Sequence, residues 1–436
     1  MAAAERIVDP PRHRAPAPAA EAEPGPGPAR GDLPRWPVLV LLAGFPAWWA
    51  LGATPIAPVL LAAAMAVLLL MGGRITILPG LLPWLFFVLW VLAAAVNVRG
   101  AGDLAGFGMR AGELVAVGVF MLYVGNAPRS LPKQRVVNYL VVMWVAIVLL
   151  GFLALLMPEV RLKTPVSMLV PDAVASNELV RNLVLPPLAE VQQPWGAPAP
   201  FIRPSAPFPY ANSWGVAFVV LTPVVLSRVA TLRRRGARAL LLGLVALSFI
   251  PAVATSNRGM FLGLGVAVGY ALLRFLGRGR WGLVALIGAV GLAAAAALVA
   301  SGAVDRILGR QDYSDSTGGR LALYARTWEL SLQSPLLGYG APRLDPTIGV
   351  SLGTQGYVWM LLFCYGFVGL GLFGYFMVNG ILRTRVVEST GDIWLHGVLL
   401  GGLAMIPFYS LSVIQMSVIG IVMSLLLRQR YRASDA

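Results

Sequence analysis

Residues 305–352 read DRILGRQDYSDSTGGRLALYARTWELSLQSPLLGYGAPRLDPTIGVSL, the one long polar interval in the second half of an otherwise mostly apolar chain. The stretch opens on an acidic, Gly-rich turn, Asp312 to Gly319. An amphipathic segment, Arg320 to Ser334, follows, with Leu321, Ala325, Trp328 and Leu332 on one helical stripe and Arg320, Thr327 and Ser331 on another. Pro335 and Gly338 stop it. Long apolar runs flank the interval on both sides. It is therefore expected to be a loop between membrane spans that caps a site at the outer membrane surface.

Working outward, the length of 436 residues would hold two or three soluble domains, but composition overrules that prior. Hydrophobic residues make up 58% and charged residues 12%, with repeated apolar runs of about 18 or more residues. A formal net charge of +15 could suit nucleic acid. The arginines instead sit in short loops between apolar runs, the positive-inside pattern, so no nucleic-acid partner is expected. Cys364 is the only cysteine and lies inside an apolar run, which excludes an internal disulfide and a thiolate metal cluster. Residues 1–35 are rich in Pro, Ala and Gly, show no cleavage pattern, and read as a disordered cytoplasmic tail.

The fold class expected is all-α, a polytopic membrane protein of about twelve spans: 36–53, 56–72, 77–97, 105–125, 136–157, 212–231, 238–255, 258–276, 281–301, 355–382, 393–408 and 410–427. Alternate loops hold Arg74; Arg129, Lys133 and Arg135; Arg228, Arg233, Arg234, Arg235 and Arg238; Arg274, Arg278 and Arg280; Arg383 and Arg385; and Arg428, Arg430 and Arg432 close the chain. Threading twelve spans puts all of these on one side, which places both termini in the cytoplasm. The organisation that follows is a five-span bundle at 36–157, an extracytoplasmic loop at 158–211, central spans at 212–301, a second such loop at 302–354, closing spans at 355–427 and a cytoplasmic tail at 428–436. Each long loop has roughly fifty residues, a length that usually serves function. The first is Pro-rich and is expected to be irregular. A third outer feature is the tight turn ATSNRGMF at 254–261. No internal repeat or matched pair of broken helices is visible, which argues against an alternating-access transporter.

Arg203, Arg258 and Arg320 are all expected on the outer side, where the positive-inside bias disfavours arginine. Guanidinium forks bind phosphate oxygens bidentately and stay charged at any relevant pH. At the start of a span, Arg258 would add its charge to the helix dipole beside Asn257 and Gly259. The competing account is snorkelling to lipid headgroups or pairing with loop carboxylates. Arg110 and Glu113, three residues apart within a span, are expected to form an internal ion pair. Among the outward acids Asp172, Glu178, Glu190, Asp305, Asp312, Asp315, Glu329 and Asp345, the pair flanking the Gly-rich turn, Asp312 and Asp315, is the best placed to take a proton. No Asp-x-Asp pair or His/carboxylate spacing suits a metal, so metal-independent chemistry with no cofactor is expected. His13 lies in the tail, and His396 lies at the cytoplasmic end of a span.

These residues resemble a known family. RPSAPFPYANSWGVAFVVLTPVV (203–225) resembles the Arg-x-x-Gly-x-Phe-x-x-Pro-Asn pattern that enters a span in the O-antigen ligase and O-antigen polymerase superfamily. TSNRGMFLGL (255–264) is similar to its Ser-Arg-Gly turn. STGGRLALYARTWELSLQSPLLGYGAPR (316–343) looks like its Arg-bearing loop helix followed by Pro-Leu-Leu-Gly-x-Gly. GTQGYVWMLLFCYGFVGLGLF (353–373) resembles its closing span, with a Gly-x-x-Gly step at Gly366 and Gly369. The resemblance covers about 200–382 and leaves the first five spans unmatched.

It implies a membrane glycosyltransferase that polymerises or ligates an undecaprenyl-diphosphate-linked oligosaccharide at the outer face of the bacterial plasma membrane. The partners implied are the lipid-linked donor, a glycan acceptor, membrane lipids and other membrane proteins of a polysaccharide pathway. Carried over, Arg203 and Arg258 match the arginines that engage the donor diphosphate, and Arg320 matches the loop-helix arginine. Asn212, Asn257, Gly338 and Gly340 are expected to support the site, and Asp315 to join the catalytic set. Ligases of the family carry a His just before the final long span, where this chain has Gln355. Glutamine can hydrogen-bond but cannot take up a proton at physiological pH. That departure favours a polymerase or divergent transferase over a lipid-A-core ligase. The alternatives are a transporter or flippase for lipid-linked glycans, a peptidoglycan polymerase, and a non-enzymatic component of a polysaccharide export complex.

Overall fold

The computed structural model describes residues 32–193, 199–300, 302, 316–354 and 356–433. Most of the expected tail at 1–35, and Asp305, Asp312, Asp315 and Gln355, lie outside the described residues. Helices α1 (Trp36–Leu42), α2 (Phe45–Leu51), α3 (Ala57–Met71) and α4 (Leu82–Ala93, continued by a 3-10 turn at Ala94–Asn97) come first. Next are α5 (Ala101–Asn126), α6 (Lys133–Leu156), the short α7 (Asp172–Ala175) and α8 (Glu178–Val184), and the strands β1 (Ala189–Gln192) and β2 (Phe201–Pro204). Then α9 (Ala211–Thr231), α10 (Arg235–Ala254), α11 (Arg258–Leu276) and α12 (Trp281–Ala300) run in series. After α13 (Ser316–Ser331) and strands β3 (Arg343–Asp345) and β4 (Val350–Leu352), the described chain closes with α14 (Tyr357–Arg383), α15 (Thr390–Met405) and α16 (Val413–Ala433).

Eight of these helices, α5, α6, α9, α10, α11, α12, α14 and α16, are long and apolar enough to cross a membrane. The other expected spans are shorter. The stretch 36–53 is divided between α1 and α2, because Pro46 at the start of α2 has no amide to continue the ladder. α3 has 15 residues and α15 has 16. α16 continues past the expected span end, to Ala433.

The centre of the fold is α9, buried along most of its length and packed against α6, α11 and α15. Small residues permit this approach: a Cβ on Gly401 of α15 would stand 3.2 Å from the Val219 side chain of α9. The fully buried indoles Trp84, Trp144 and Trp214 each donate, to the Leu114 carbonyl, the Thr222 hydroxyl and the Ile147 carbonyl. In a membrane interior an unpaired N–H would be costly.

α14 is broken. Gly366 has φ 69°, and a Cβ there would overlap the Leu336 carbonyl. The break frees backbone groups, and the Pro335–Gly340 turn takes them. Tyr339 N–H donates to the Phe363 carbonyl at 2.9 Å, Gly340 N–H to Cys364 at 2.8 Å, and Phe367 N–H to the Pro335 carbonyl at 2.7 Å. Trp90 of α4 donates to the Tyr365 carbonyl at 3.0 Å. A discontinuous span is tolerated when neighbours satisfy its backbone in this way.

The first long loop is more ordered than its proline content implies. β1 and β2 pair antiparallel, with Glu190 directly across from Arg203. The amphipathic helix α13 turns its polar stripe inward and leaves its apolar stripe exposed. Leu321, Trp328 and Leu332 are 63%, 47% and 54% exposed, whereas Thr327 and Ser331 are 3% and 0%. The two hydroxyls can be buried because they bond the carbonyls one turn back, at Leu323 and Thr327. The expected Arg110–Glu113 ion pair does not form: Arg110 turns toward the preceding turn and donates Nε–H to the Gly106 carbonyl at 3.1 Å.

Basic residues gather at one end of the bundle. There Lys133 pairs with Asp392 at 2.6 Å, Arg274, Arg278 and Arg280 reach the 385–390 segment, and Arg428 donates to the Val124 and Leu131 carbonyls. His396 is spent on structure: its Nε2 donates to the Ile381 carbonyl and its Nδ1 accepts from the Tyr270 hydroxyl.

Candidate functional site

The opposite end brings together β1–β2, the 255–259 turn, α13 and the 406–412 turn. The β1–β2 register sets Glu190 against Arg203, and Arg203 is 5% exposed. Its Nε–H donates to the Thr255 carbonyl at 2.7 Å, Nη1 to Glu190 Oε2 at 2.8 Å and Nη2 to Asn212 Oδ1 at 3.0 Å. Glu190 uses its other oxygen to accept the Ala211 N–H, the first amide of α9, at 2.9 Å. Burial pushes the Arg203 pKa down; Glu190 and then Tyr409 oppose this, and Arg320 adds to the lowering. Arg203 thus ties the first loop to the start of α9 and the end of α10.

The turn into α11 is built for its position. Ser256 adopts φ 52°, an uncommon conformation for a residue with a side chain. Asn257 caps the helix, accepting from the Met260 N–H at 3.1 Å. Its amide also approaches the Asn212 carbonyl at 3.5 Å, so both expected supporting asparagines belong to this network. Arg258 follows as the first residue of α11, exposed and with no hydrogen bond or ion pair among the described residues.

Arg320, near the start of α13, is half-buried and makes no ion pair among the described residues. Its guanidinium lies 5.9 Å from the centroid of the Tyr409 ring. Tyr409, 7% exposed, accepts the Gly259 N–H on its hydroxyl at 3.2 Å. Its backbone carbonyl accepts the Tyr357 N–H at 3.1 Å, which fastens the start of α14 to the same turn. On the other side of Gln355, the Ser410 hydroxyl donates to the Thr354 carbonyl at 3.1 Å. Tyr409 therefore links the residue after Arg258, the Arg320 side chain and the start of the closing span. Tyr324, one turn after Arg320, stacks on Trp359 with centroids 4.4 Å apart.

The structure thus places Arg203, Arg320 and the start of α11 around one tyrosine. Of the supporting glycines, Gly338 and Gly340 serve the α14 break and stand apart from this cluster. Tyr409 and the anchoring role of Glu190 were missed by the sequence reading. The signal for Tyr409 was available: it falls in the short polar break between the last two expected spans, on the outer side of the threading. Glu190 carried no such signal, because only the strand register puts it opposite Arg203.

These features are those of a mostly helical membrane protein with eight candidate spans and arginines gathered around Tyr409 at one end of its bundle. The family model described as O-antigen ligase matches residues 242–374, a segment that holds Arg258, Arg320, the Pro335–Gly340 turn and the break in α14. The match supports assigning the chain to the O-antigen ligase and polymerase family, one of glycosyltransferase-like membrane ligases and polymerases. No curated protein matches the chain.

Proposed function

We propose that this protein is a membrane glycosyltransferase that polymerises or ligates an undecaprenyl-diphosphate-linked oligosaccharide at the outer face of the plasma membrane. The observation that carries the reading is the state of the arginines. Arg203 is neutralised by Glu190, whereas Arg258 and Arg320 have no carboxylate partner among the described residues, near a helix N-terminus. Such an arrangement suits a dianionic diphosphate diester.

In this reading Arg258 and Arg320 stabilise the charge that grows on the diphosphate as the anomeric C–O bond breaks. The electron pair goes to the departing diphosphate oxygen. The anomeric carbon passes through an oxocarbenium-like state, and the acceptor hydroxyl oxygen forms the new bond. Its proton leaves to water or to the departing diphosphate, so no strong base is required of Gln355 or Asp315. The outer loops orient the acceptor sugar. The basic end of the bundle supports a cytoplasmic assignment for that side by the positive-inside rule.

The test is Arg258→Ala in proteoliposomes supplied with lipid-linked oligosaccharide. Glycan transfer is expected to vanish while membrane insertion stays normal. Unchanged transfer would sink the assignment, and lipid scrambling without any transfer by the parent protein would favour a flippase.

A further inference from the structure

The Tyr409 hydroxyl is only half used. Its oxygen accepts the Gly259 N–H, but its own proton has no acceptor among the described residues. Tyr409 is only 7% exposed, so the group is held in place rather than left to rotate in solvent. A Cβ on Gly259 would overlap the ring, so α11 starts as close to Tyr409 as the chain allows. Arg320 lies over the ring, and Arg203 is near enough to Tyr409 and Arg320 for both to act on its charge.

Resting on the proposed function, we infer that Tyr409 is a further substrate-binding residue, whose hydroxyl donates a hydrogen bond to a non-bridging oxygen of the donor diphosphate between Arg258 and Arg320. Three physical points carry this. A hydroxyl that already accepts from a backbone N–H is polarised toward stronger donation. The surrounding charge is cationic and the α11 N-terminus adds its positive end, so the acceptor that fits is an anionic oxygen. Through Tyr409 the α11 dipole also reaches the ligand by way of the Gly259 amide. The step is binding only; no bond is made or broken at Tyr409.

Tyr409→Phe isolates the hydroxyl, because it keeps the ring under Arg320 and against Gly259. The probe is inorganic diphosphate, titrated against the full chain in lipid nanodiscs, with the thermal midpoint followed with and without probe. Binding by the variant should weaken by roughly tenfold to a hundredfold, the scale of one hydrogen bond to a charged acceptor. Its ligand-free midpoint should fall only slightly, by the loss of the one hydrogen bond from the Gly259 N–H. In transfer assays KM for the lipid-linked donor should rise by a similar factor.

Parent-like diphosphate binding by Tyr409→Phe, with Arg258→Ala and Arg320→Ala both impaired, would overturn this inference and leave the proposed function standing. A lowered ligand-free midpoint with unchanged diphosphate binding would make Tyr409 a purely structural link and overturn it too. If the parent protein neither binds diphosphate nor transfers glycan, the proposed function fails, and this inference fails with it.

Discussion

At the scale of single residues, the most consequential contact is the one between Arg203 and Glu190. A buried guanidinium is tolerated only while its charge is matched and its N–H groups are used. Here three of them reach Thr255, Glu190 and Asn212. Glu190→Ala removes the counter-charge and the acceptor of the Ala211 amide together, leaving a buried, uncompensated cation. The expected loss is about 3 kcal/mol, at the lower end for breaking a buried pair. The double variant Glu190→Leu with Arg203→Met should recover much of it, because neither charge remains. Thermal unfolding in nanodiscs compares the two. Arg203 itself was legible, since it stands just before an apolar run on the side where arginine is disfavoured. Its partner was not, because a hairpin of four-residue strands joined through a Pro-rich stretch leaves almost no alternation in the sequence to read.

At the scale of elements, two features depart from what periodicity alone can show. Helical spacing in α13 revealed two stripes correctly, but not which of them faces the protein. In a soluble protein the apolar stripe would be inside. Here the polar stripe of small hydroxyls packs inward and the apolar one is left outside, as for a helix lying against lipid. The aromatic contacts of Tyr324 with Trp359 and Trp328 with Phe367 hold α13 along α14. Arg326, bonded to Asp345 on β3, holds it from the other side. The Arg326 hydrogen bond keeps Asp345 below the usual carboxylate range. Its stabilising effect is therefore complete above the ordinary carboxylate pKa and is lost only as pH falls through the lowered value, leaving this anchor unchanged near neutrality. If the stripe lies against lipid, a membrane-impermeant maleimide should react slowly at Leu321→Cys and Leu332→Cys and quickly at Glu329→Cys. Equal rates would argue against it. The native thiol gives little background, since Cys364 is buried. The break in α14 makes the second case. Gly366→Ala must place a side chain at positive φ against the Leu336 carbonyl, so a loss of roughly 2 kcal/mol or more is expected, seen as a lower yield of folded protein.

At the scale of the whole molecule, transfer at the outer face depends on which end of the bundle faces outward. The described structure separates the two kinds of polar residue. Lysine and arginine from α6, α11, α14 and α16 interlock at one end, while Arg203, Arg320 and the start of α11 surround Tyr409 at the other. Loop charge in the sequence anticipated this partition, because it depends only on the order of basic segments and apolar runs. The number of spans was harder to read, since hydropathy cannot tell one membrane-long helix from two short ones at 36–53. Single cysteines decide the orientation directly. Leu169 and Ile348 lie exposed in the two long loops at the site end, and Arg234 lies exposed in the turn between α9 and α10. With the native Cys364 silent, an impermeant maleimide should label Leu169→Cys and Ile348→Cys in intact cells, and Arg234→Cys only after the membrane is opened. The reverse pattern would put the arginine cluster in the cytoplasm, where a donor presented outside could not reach it, and would overturn the proposed transfer at the outer face.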